Sequence, residues 1–435
     1  MSSARGGVRL FRRFLDRDDA LLKHSVIMLT ASGLGGVVDY LYQVLMGRML
    51  GPEDYGIFGA LFSLAYVLTV PTRSIELSTA KLVNTLQAAG RADDLGFVLR
   101  HRTRQVALGS GVGLLSMVAA SGLIARLLRL PSGIPVMVLG LAFSAKLLVP
   151  VFMGAMLGLQ RFRGLGLSNI VSCLGKLAFG VVLVLLGLGV EGAVAGMVFG
   201  PSLWIVLAVW LFLADVLRRP AADRTIPRAS GYAVSVLLAY LCLTLLHNVD
   251  VVLVRRLFDP TQAGCYVAAS TLAKVVLFGS MAIAGAMFPK VSAAHENSEA
   301  DSKLLRAALA YAGVLAGLAA AVLNLFAGAI VPALYGADYG LSVGLVGLFS
   351  LGMVFFSLSY VLSMYWLARN RSGFVLLLGV AVAAEVAGIL LLHETLLQVV
   401  VVFTAIMAGV LVGMGALSLM WAGPGIRRRL SRERE

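Results

Sequence analysis

The sequence predicts an all-α polytopic membrane protein, with about twelve transmembrane helices in two parallel six-helix lobes around a central cavity. Three observations carry that expectation. The 435-residue chain is 59% hydrophobic and 13% charged, with a mean hydropathy of +0.92, whereas soluble domains are about 25% charged. Its apolar residues gather into runs of about 20, the length that crosses a bilayer core as helix. The second half of the chain also repeats landmarks of the first at one fixed offset. Apolar surface on this scale cannot be hidden in small water-facing cores, which excludes a soluble enzyme, a disordered chain and a secreted disulfide scaffold.

The runs fall at roughly 25–47, 56–80, 104–126, 133–158, 165–189, 192–216, 230–255, 263–289, 304–333, 342–368, 373–393 and 396–421. They define a six-helix lobe over 25–216, a linker at 217–229 and a second lobe over 230–421. Basic tails at 1–24 and 422–435 flank them. The 48 glycines read as packing positions, because small residues let helices approach closely in lipid. The polar, basic start and the length of the first run argue against a cleavable signal peptide. Cys173, Cys242 and Cys265 are widely spaced with no CxxC, so neither a disulfide framework nor a zinc site is expected.

The net charge of +14 is mostly topology. Of the 36 Lys and Arg, 28 lie in the tails and the even-numbered connections, among them Arg73, Lys81, Arg100, Arg161 and Arg371. Only Arg48, Arg126, Arg129, Arg255 and Arg256 fall on the other side. The positive-inside rule then places both termini in the cytoplasm. Basic residues dispersed over seven segments are not a nucleic-acid footprint. The stretch Val8–Arg17 alternates apolar residues with arginine; it reads either as an interfacial helix on anionic lipid or as a solvated tail.

The repeat has an offset of 208. Arg48, Pro52, Gly56, Ala60 and Leu64 recur as Arg256, Pro260, Gly264, Ala268 and Leu272. Arg161 and Arg163 recur as Arg369 and Arg371. An offset that spans six helices restores the same orientation, so the halves are parallel repeats. Two such lobes with a cleft between them point to a transporter working by alternating access.

No catalytic constellation is present: the five histidines are scattered, and HExxH, GxSxG and Walker motifs are lacking. The chain is expected not to be an enzyme, to need no cofactor or metal, and to draw on an ion gradient, the membrane potential or the substrate gradient. Ionisable groups within spans are the informative positions, since charge at bilayer depth is costly without a cavity or partner. Lys146, Lys176 and Lys274, with Arg73, are candidates to line a cationic chamber that offsets phosphate or pyrophosphate charge. The structural alternative for each is snorkelling or an ion pair, for instance Lys176 with Glu385. Asp39, its repeat counterpart His247, and Glu385 are candidates for coupling to protons. Asp250 reads as a hydrogen-bonded structural group. Pro71 and Pro150 are expected to kink or break helices. Tyr360, Tyr365 and Trp366 read as an aromatic interface belt, with stacking on sugar rings as the alternative.

The segment Gly47-Arg48-Met49-Leu50-Gly51-Pro52-Glu53-Asp54-Tyr55-Gly56-Ile57-Phe58 resembles the polysaccharide transporter branch, Wzx-like oligosaccharide flippases, of the multidrug/oligosaccharidyl-lipid/polysaccharide exporter superfamily. Asn248 to Arg256 with Gly264 and Tyr266, and Tyr335-Gly336-Ala337-Asp338-Tyr339, carry the same resemblance, which spans the whole chain. It implies two six-helix lobes around a cavity in the cytoplasmic membrane, and a lipid-linked oligosaccharide moved to the outer leaflet for polysaccharide biosynthesis. Implied partners are the lipid-linked glycan, the bilayer and polysaccharide synthesis or polymerase proteins. Two further readings compete: a cation-coupled multidrug exporter, which favours an anionic cavity, and a membrane scaffold for a synthesis complex, in which the 81–104 loop matters and the cavity does not.

Overall fold

In the computed structural model, residues 3–218, 233–293, 298–369 and 371–421 are described, with side chains left aside before residue 33. The expected interfacial face of Val8–Arg17, the linker beyond residue 218 and the basic C-terminal tail lie outside that description. The described residues are almost entirely helical: α1 Ser3–Leu68, α2 Pro71–Ala88, α3 Leu95–Leu127, α4 Ile134–Gly158, α5 Phe162–Leu183, α6 Gly189–Leu207, α7 Ala214–Leu217, α8 Ala233–Leu246, α9 Val249–Leu257, α10 Pro260–Ala273, α11 Val275–Ala293, α12 Ser298–Tyr335, α13 Gly340–Ala368, α14 Phe374–Leu391 and α15 Leu396–Trp421.

Among the described residues, nine helical segments are long and apolar enough to cross a membrane, or ten when the α8–α9 pair, bent by 41°, is one crossing. Two of the nine, Gly33–Ala88 at 56 residues and Phe162–Leu211 at 50, far exceed the roughly 20 residues of one crossing. Each contains a backbone break. In α1 the break is Gly51 at φ 74, ψ 171, a conformation that costs a residue with a Cβ dearly. Pro52 follows at the first position of the resumed helix, where its missing N–H is no loss. The second long segment breaks at Gly187, φ 88, inside the π-helical turn Val184–Leu188. Pro71 opens α2 after a turn at Thr69–Val70, and Pro150 is carried inside α4.

The outer surface is what lipid requires. Leu185, Leu325, Leu376 and Leu391 are 74%, 77%, 77% and 80% exposed, while Ser350, Ser357, Ser359 and Ser363 are completely buried. That inversion, with small polar side chains inside and leucines outside, is stable only where the surroundings are apolar. The protein is a multi-pass membrane protein.

The chain forms two compact units that do not follow its halves: Met1–Tyr42, Thr72–Ala120 and Val136–Ala229 make one, and Gln43–Pro71, Ser121–Pro135 and Ser230–Glu435 make the other. In the first unit α5 runs along α6, and Leu86, Val98, Phe152 and Trp204 belong to one buried core. At its edge Arg161 makes two hydrogen bonds to Asp215, of 3.0 and 2.8 Å, tying the start of α5 to α7. Those bonds hold the Asp215 carboxyl below its ordinary range. The pair therefore stabilises above the ordinary carboxylate pKa, and its contribution is lost as pH falls through the lowered value. Both groups are solvent-accessible, so Asp215→Asn is expected to cost about 0.5 kcal/mol at neutral pH, read by thermal unfolding, with the difference shrinking as the pH falls below the ordinary carboxylate range.

In the second unit α13 is the central element, packed by α10, α11, α12 and α15. Phe349 on α13 and Phe403 on α15, both fully buried, meet with ring centroids 4.6 Å apart and planes tilted by 37°. The centrality of α13 corrects one expectation. Tyr365 and Trp366 are only 3% and 5% exposed, and the Trp366 indole donates to Ser418 Oγ at 3.0 Å. They are interior packing residues, because the last two turns of this helix, Val361 to Ala368, are buried on every side.

Candidate functional site

In the first unit, Asp39, on α1, and Lys176, on α5, form an ion pair with 2.6 Å between Oδ1 and Nζ. Lys176 therefore pairs with Asp39, and not with Glu385 as the sequence alone allows. Tyr42 stands one helical turn beyond Asp39, the spacing that brings two side chains to one helix face. Its ring lies 4.8 Å beneath the Lys176 ammonium, a cation–π distance, and its hydroxyl donates to the Ala193 carbonyl on α6. Tyr42 is fully buried, so it is a fixed post against which Lys176 is held.

Around this pair, α4 contributes Lys146, which is exposed and lies in the electrostatic field of Lys176, Asp39, Cys173 and Arg73. α5 also contributes Cys173 and Asn169; a Cβ on Gly35 would come 2.5 Å from the Asn169 Nδ2. Gly35 thus lets α1 lie directly against the polar face of α5. Arg73 on α2 is paired with Glu76 at 3.1 Å, with its side chain 59% exposed. Three cationic heads meet two carboxylates, so the cluster has positive character. Each ammonium brings three N–H donors, and a phosphate oxygen is a matching acceptor.

Of the residues singled out in advance, the structure therefore gathers Lys146, Lys176, Arg73 and Asp39 in one unit. Lys274, His247 and Glu385 belong to the other, where a second polar cluster forms. Lys274 donates to Asn248 Oδ1 at 3.2 Å. Asp250, fully buried, accepts a 2.8 Å hydrogen bond from the Tyr266 hydroxyl, which supports its structural reading. The His247 ring sits 5.0 Å from Phe356, and its Nδ1 lies 2.6 Å from the Leu243 carbonyl. A carbonyl only accepts, so Nδ1 carries the proton. Glu385 on α14 is fully buried, and neither of its carboxyl oxygens has a hydrogen-bond partner among the described residues. At that depth a carboxyl needs either its proton or a cation beside it. Asp250 and Lys274 share a field, as do Asp250 and Glu385.

Tyr42, Asn169, Asn248 and Tyr266 were not singled out as site residues. For Tyr42 a signal existed, its three-residue spacing from Asp39. Asn248 and Tyr266 stand in the segment that carries the family resemblance, whereas Asn169 had no signal, since an amide in an apolar run is weak evidence by itself.

The sequence pattern of the family described as polysaccharide biosynthesis protein matches residues 45–344. No curated protein matches significantly. Among solved structures the fold is similar to an inward-facing multidrug resistance MATE family transporter of the MOP superfamily, at TM-score 0.65 and 16% identity, covering 94% of this chain and 98% of that one. It is also similar to the lipid II flippase MurJ in an inward closed conformation, at TM-score 0.63 and 12% identity, covering 91% and 87%. A third is a MOP superfamily transporter from Pyrococcus furiosus, reported to have a binding pocket of reverse polarity that suggests a different function. It aligns at TM-score 0.60 and 14% identity, covering 92% and 95%. At such identities the likeness to solved structures is one of fold.

Proposed function

This chain belongs to the polysaccharide biosynthesis protein family, and on that premise we propose that it is a flippase for a lipid-linked oligosaccharide. The carrier is a polyprenyl phosphate or pyrophosphate, the membrane is the cytoplasmic membrane, and the movement is alternating access. Twelve crossings serve this cycle, with Gly51 and Gly187 as the turns inside the two over-long segments. The lobes are 25–216 and 230–421, and both termini are cytoplasmic. The chain contributes binding and movement with no catalytic step. Synthesis or polymerase proteins of the same glycan are its natural neighbours.

The observation that carries this reading is the positive cluster of Lys146, Lys176 and Arg73 on three helices of one unit. Opposite charge offsets the desolvation of a phosphate group drawn to bilayer depth, whereas a cationic drug would meet repulsion there. The experiment is a deletion strain examined for lipid-linked intermediates on the cytoplasmic leaflet. Accumulation with loss of surface polysaccharide is expected. Unchanged polysaccharide without accumulation would overturn the reading.

One observation favours cation coupling within the same framework, the reading that the exporter alternative shares: the completely buried Glu385, without a hydrogen-bond partner among the described residues. Of the three coupling candidates it fits best, because Asp39 is engaged by Lys176 and His247 by a backbone carbonyl. The Glu385→Gln variant keeps the shape and loses the exchangeable proton and charge. Its gradient-driven transport is expected to fall about tenfold or more. Proteoliposome rates with and without an imposed ion gradient check this; an unaltered gradient response would remove Glu385 from coupling.

A further inference from the structure

The repeat-matched residues do more than mark corresponding turns, because they touch one another reciprocally. A Cβ placed on Gly264 would strike the Pro52 carbonyl, and one placed on Gly56 would come 3.2 Å from the Pro260 carbonyl. Pro52 and Pro260 are counterparts, as are Gly56 and Gly264. A contact of residue i with the counterpart of j, matched by j with the counterpart of i, is the signature of a two-fold axis.

The flanking arginines obey the same rule. Arg48 donates from Nη1 to the Ala333 carbonyl at 2.7 Å, in the last turn of α12. Its counterpart Arg256 donates from Nη1 to the Arg126 carbonyl at 3.3 Å, in the last turn of α3. Each guanidinium meets carbonyls at a helix end where the partial charge is negative. Arg255 adds two further bonds to the same end of α3, to Leu128 O at 3.2 Å and Arg129 O at 3.1 Å. It also lies in the field of Glu53 and Asp54, beside Pro52. On the other side Tyr339 donates to the Gly47 carbonyl at 2.6 Å, and Tyr55 pairs with Thr271 at 3.3 Å.

We infer that Arg48 and Arg256 form a two-fold latch, each clasping the end of the opposite half's third long helix, and that this latch holds the Gly56–Gly264 crossing shut in one state of the transport cycle. This rests on the alternating-access reading. Charge-assisted bonds of this type bias a two-state equilibrium on the order of tenfold each. They are also replaceable by water once the helices part, as a reversible closure needs.

The test reads accessibility and requires no substrate. In a chain with its three cysteines changed to serine, Thr271→Cys reports on the crossing. Ser359→Cys, fully buried on α13 away from it, reports on general unfolding. Both are assayed in lipid nanodiscs with a soluble maleimide. Adding Arg48→Ala and Arg256→Ala together is expected to raise Thr271→Cys labelling about tenfold or more, with each single change intermediate and the Ser359→Cys rate unchanged. No change at Thr271→Cys overturns the latch. So does a parallel rise at both reporters, because the arginines would then support the fold at large. Failure of the flippase reading would show in the deletion strain and leave these labelling rates as they are.

Discussion

Changing Lys146 and Lys176 together to glutamine is expected to lower transport of a (pyro)phosphate-linked glycan by about 100-fold or more. A hydrogen bond from a charged donor contributes roughly 1.5–3 kcal/mol, and about 1.4 kcal/mol is a factor of ten. Losing two such donors therefore reaches that range. The change at Lys176 also leaves Asp39 without its 2.6 Å partner, turning a neutral pair into a negative group that faces an anionic substrate. Lys176→Gln alone is thus expected to be more damaging than Lys176→Gln combined with Asp39→Asn, in which the repulsion is gone. Initial rates in proteoliposomes loaded with lipid-linked glycan decide this. Full transport by the Lys146/Lys176 variant sinks the cationic site. A double change at Lys176 and Asp39 no better than the single one shows that Asp39 does more than neutralise the lysine.

The second large effect is expected at the helix crossing. Gly264→Val places a branched side chain where the Pro52 carbonyl already stands, with Pro52 Cα a further 2.8 Å from the added Cβ. The obstacle is backbone on both sides, so no rotamer relieves it. Overpacking of this kind costs about 1–3 kcal/mol and often more when backbone must move. Because the cost falls on the closed crossing, transport is expected to drop about tenfold or more while the chain still folds. The comparison is Gly409→Ala on α15, where an added Cβ meets nothing within 4 Å; it is expected to transport normally. Normal transport by Gly264→Val would mean that the crossing is not closed during the cycle.

The helical membrane architecture was legible because lipid imposes it: apolar runs of sufficient length can only be spanning helices. Basic residues likewise predicted an orientation, and the offset of 208 marked Pro52, Gly56 and their counterparts. What the offset does not contain is who touches whom. Equal spacing reports descent from one unit, whereas the Pro52–Gly264 contact depends on how two copies pack. The same blindness affected the site. Lys176 and Asp39 are 137 positions apart on helices that sequence cannot place side by side, so Glu385 was as good a partner on paper. Matched positions also diverge. Arg161 pairs with Asp215, but its counterpart Arg369 donates to the Tyr365 hydroxyl at 3.1 Å. Tyr365 and Trp366 were misread because amphipathic aromatics near a span's end look the same whether they meet lipid headgroups or a neighbouring helix.

The reciprocal contact at Gly56 and Gly264 also has a history in it. In an ancestor made of one half, a single proline and a single glycine would have filled both roles, each copy pressing its proline carbonyl into the glycine of its twin. The surface would have been an isologous dimer interface, and one mutation would have struck it twice. Joining two such copies in one chain would free them to differ, as Gly47 and Arg255 do, without freeing the crossing itself. In that history the two glycines would be an interface between subunits joined into one chain. A half expressed alone would carry that face uncovered, and its most complementary partner would be a second copy of itself.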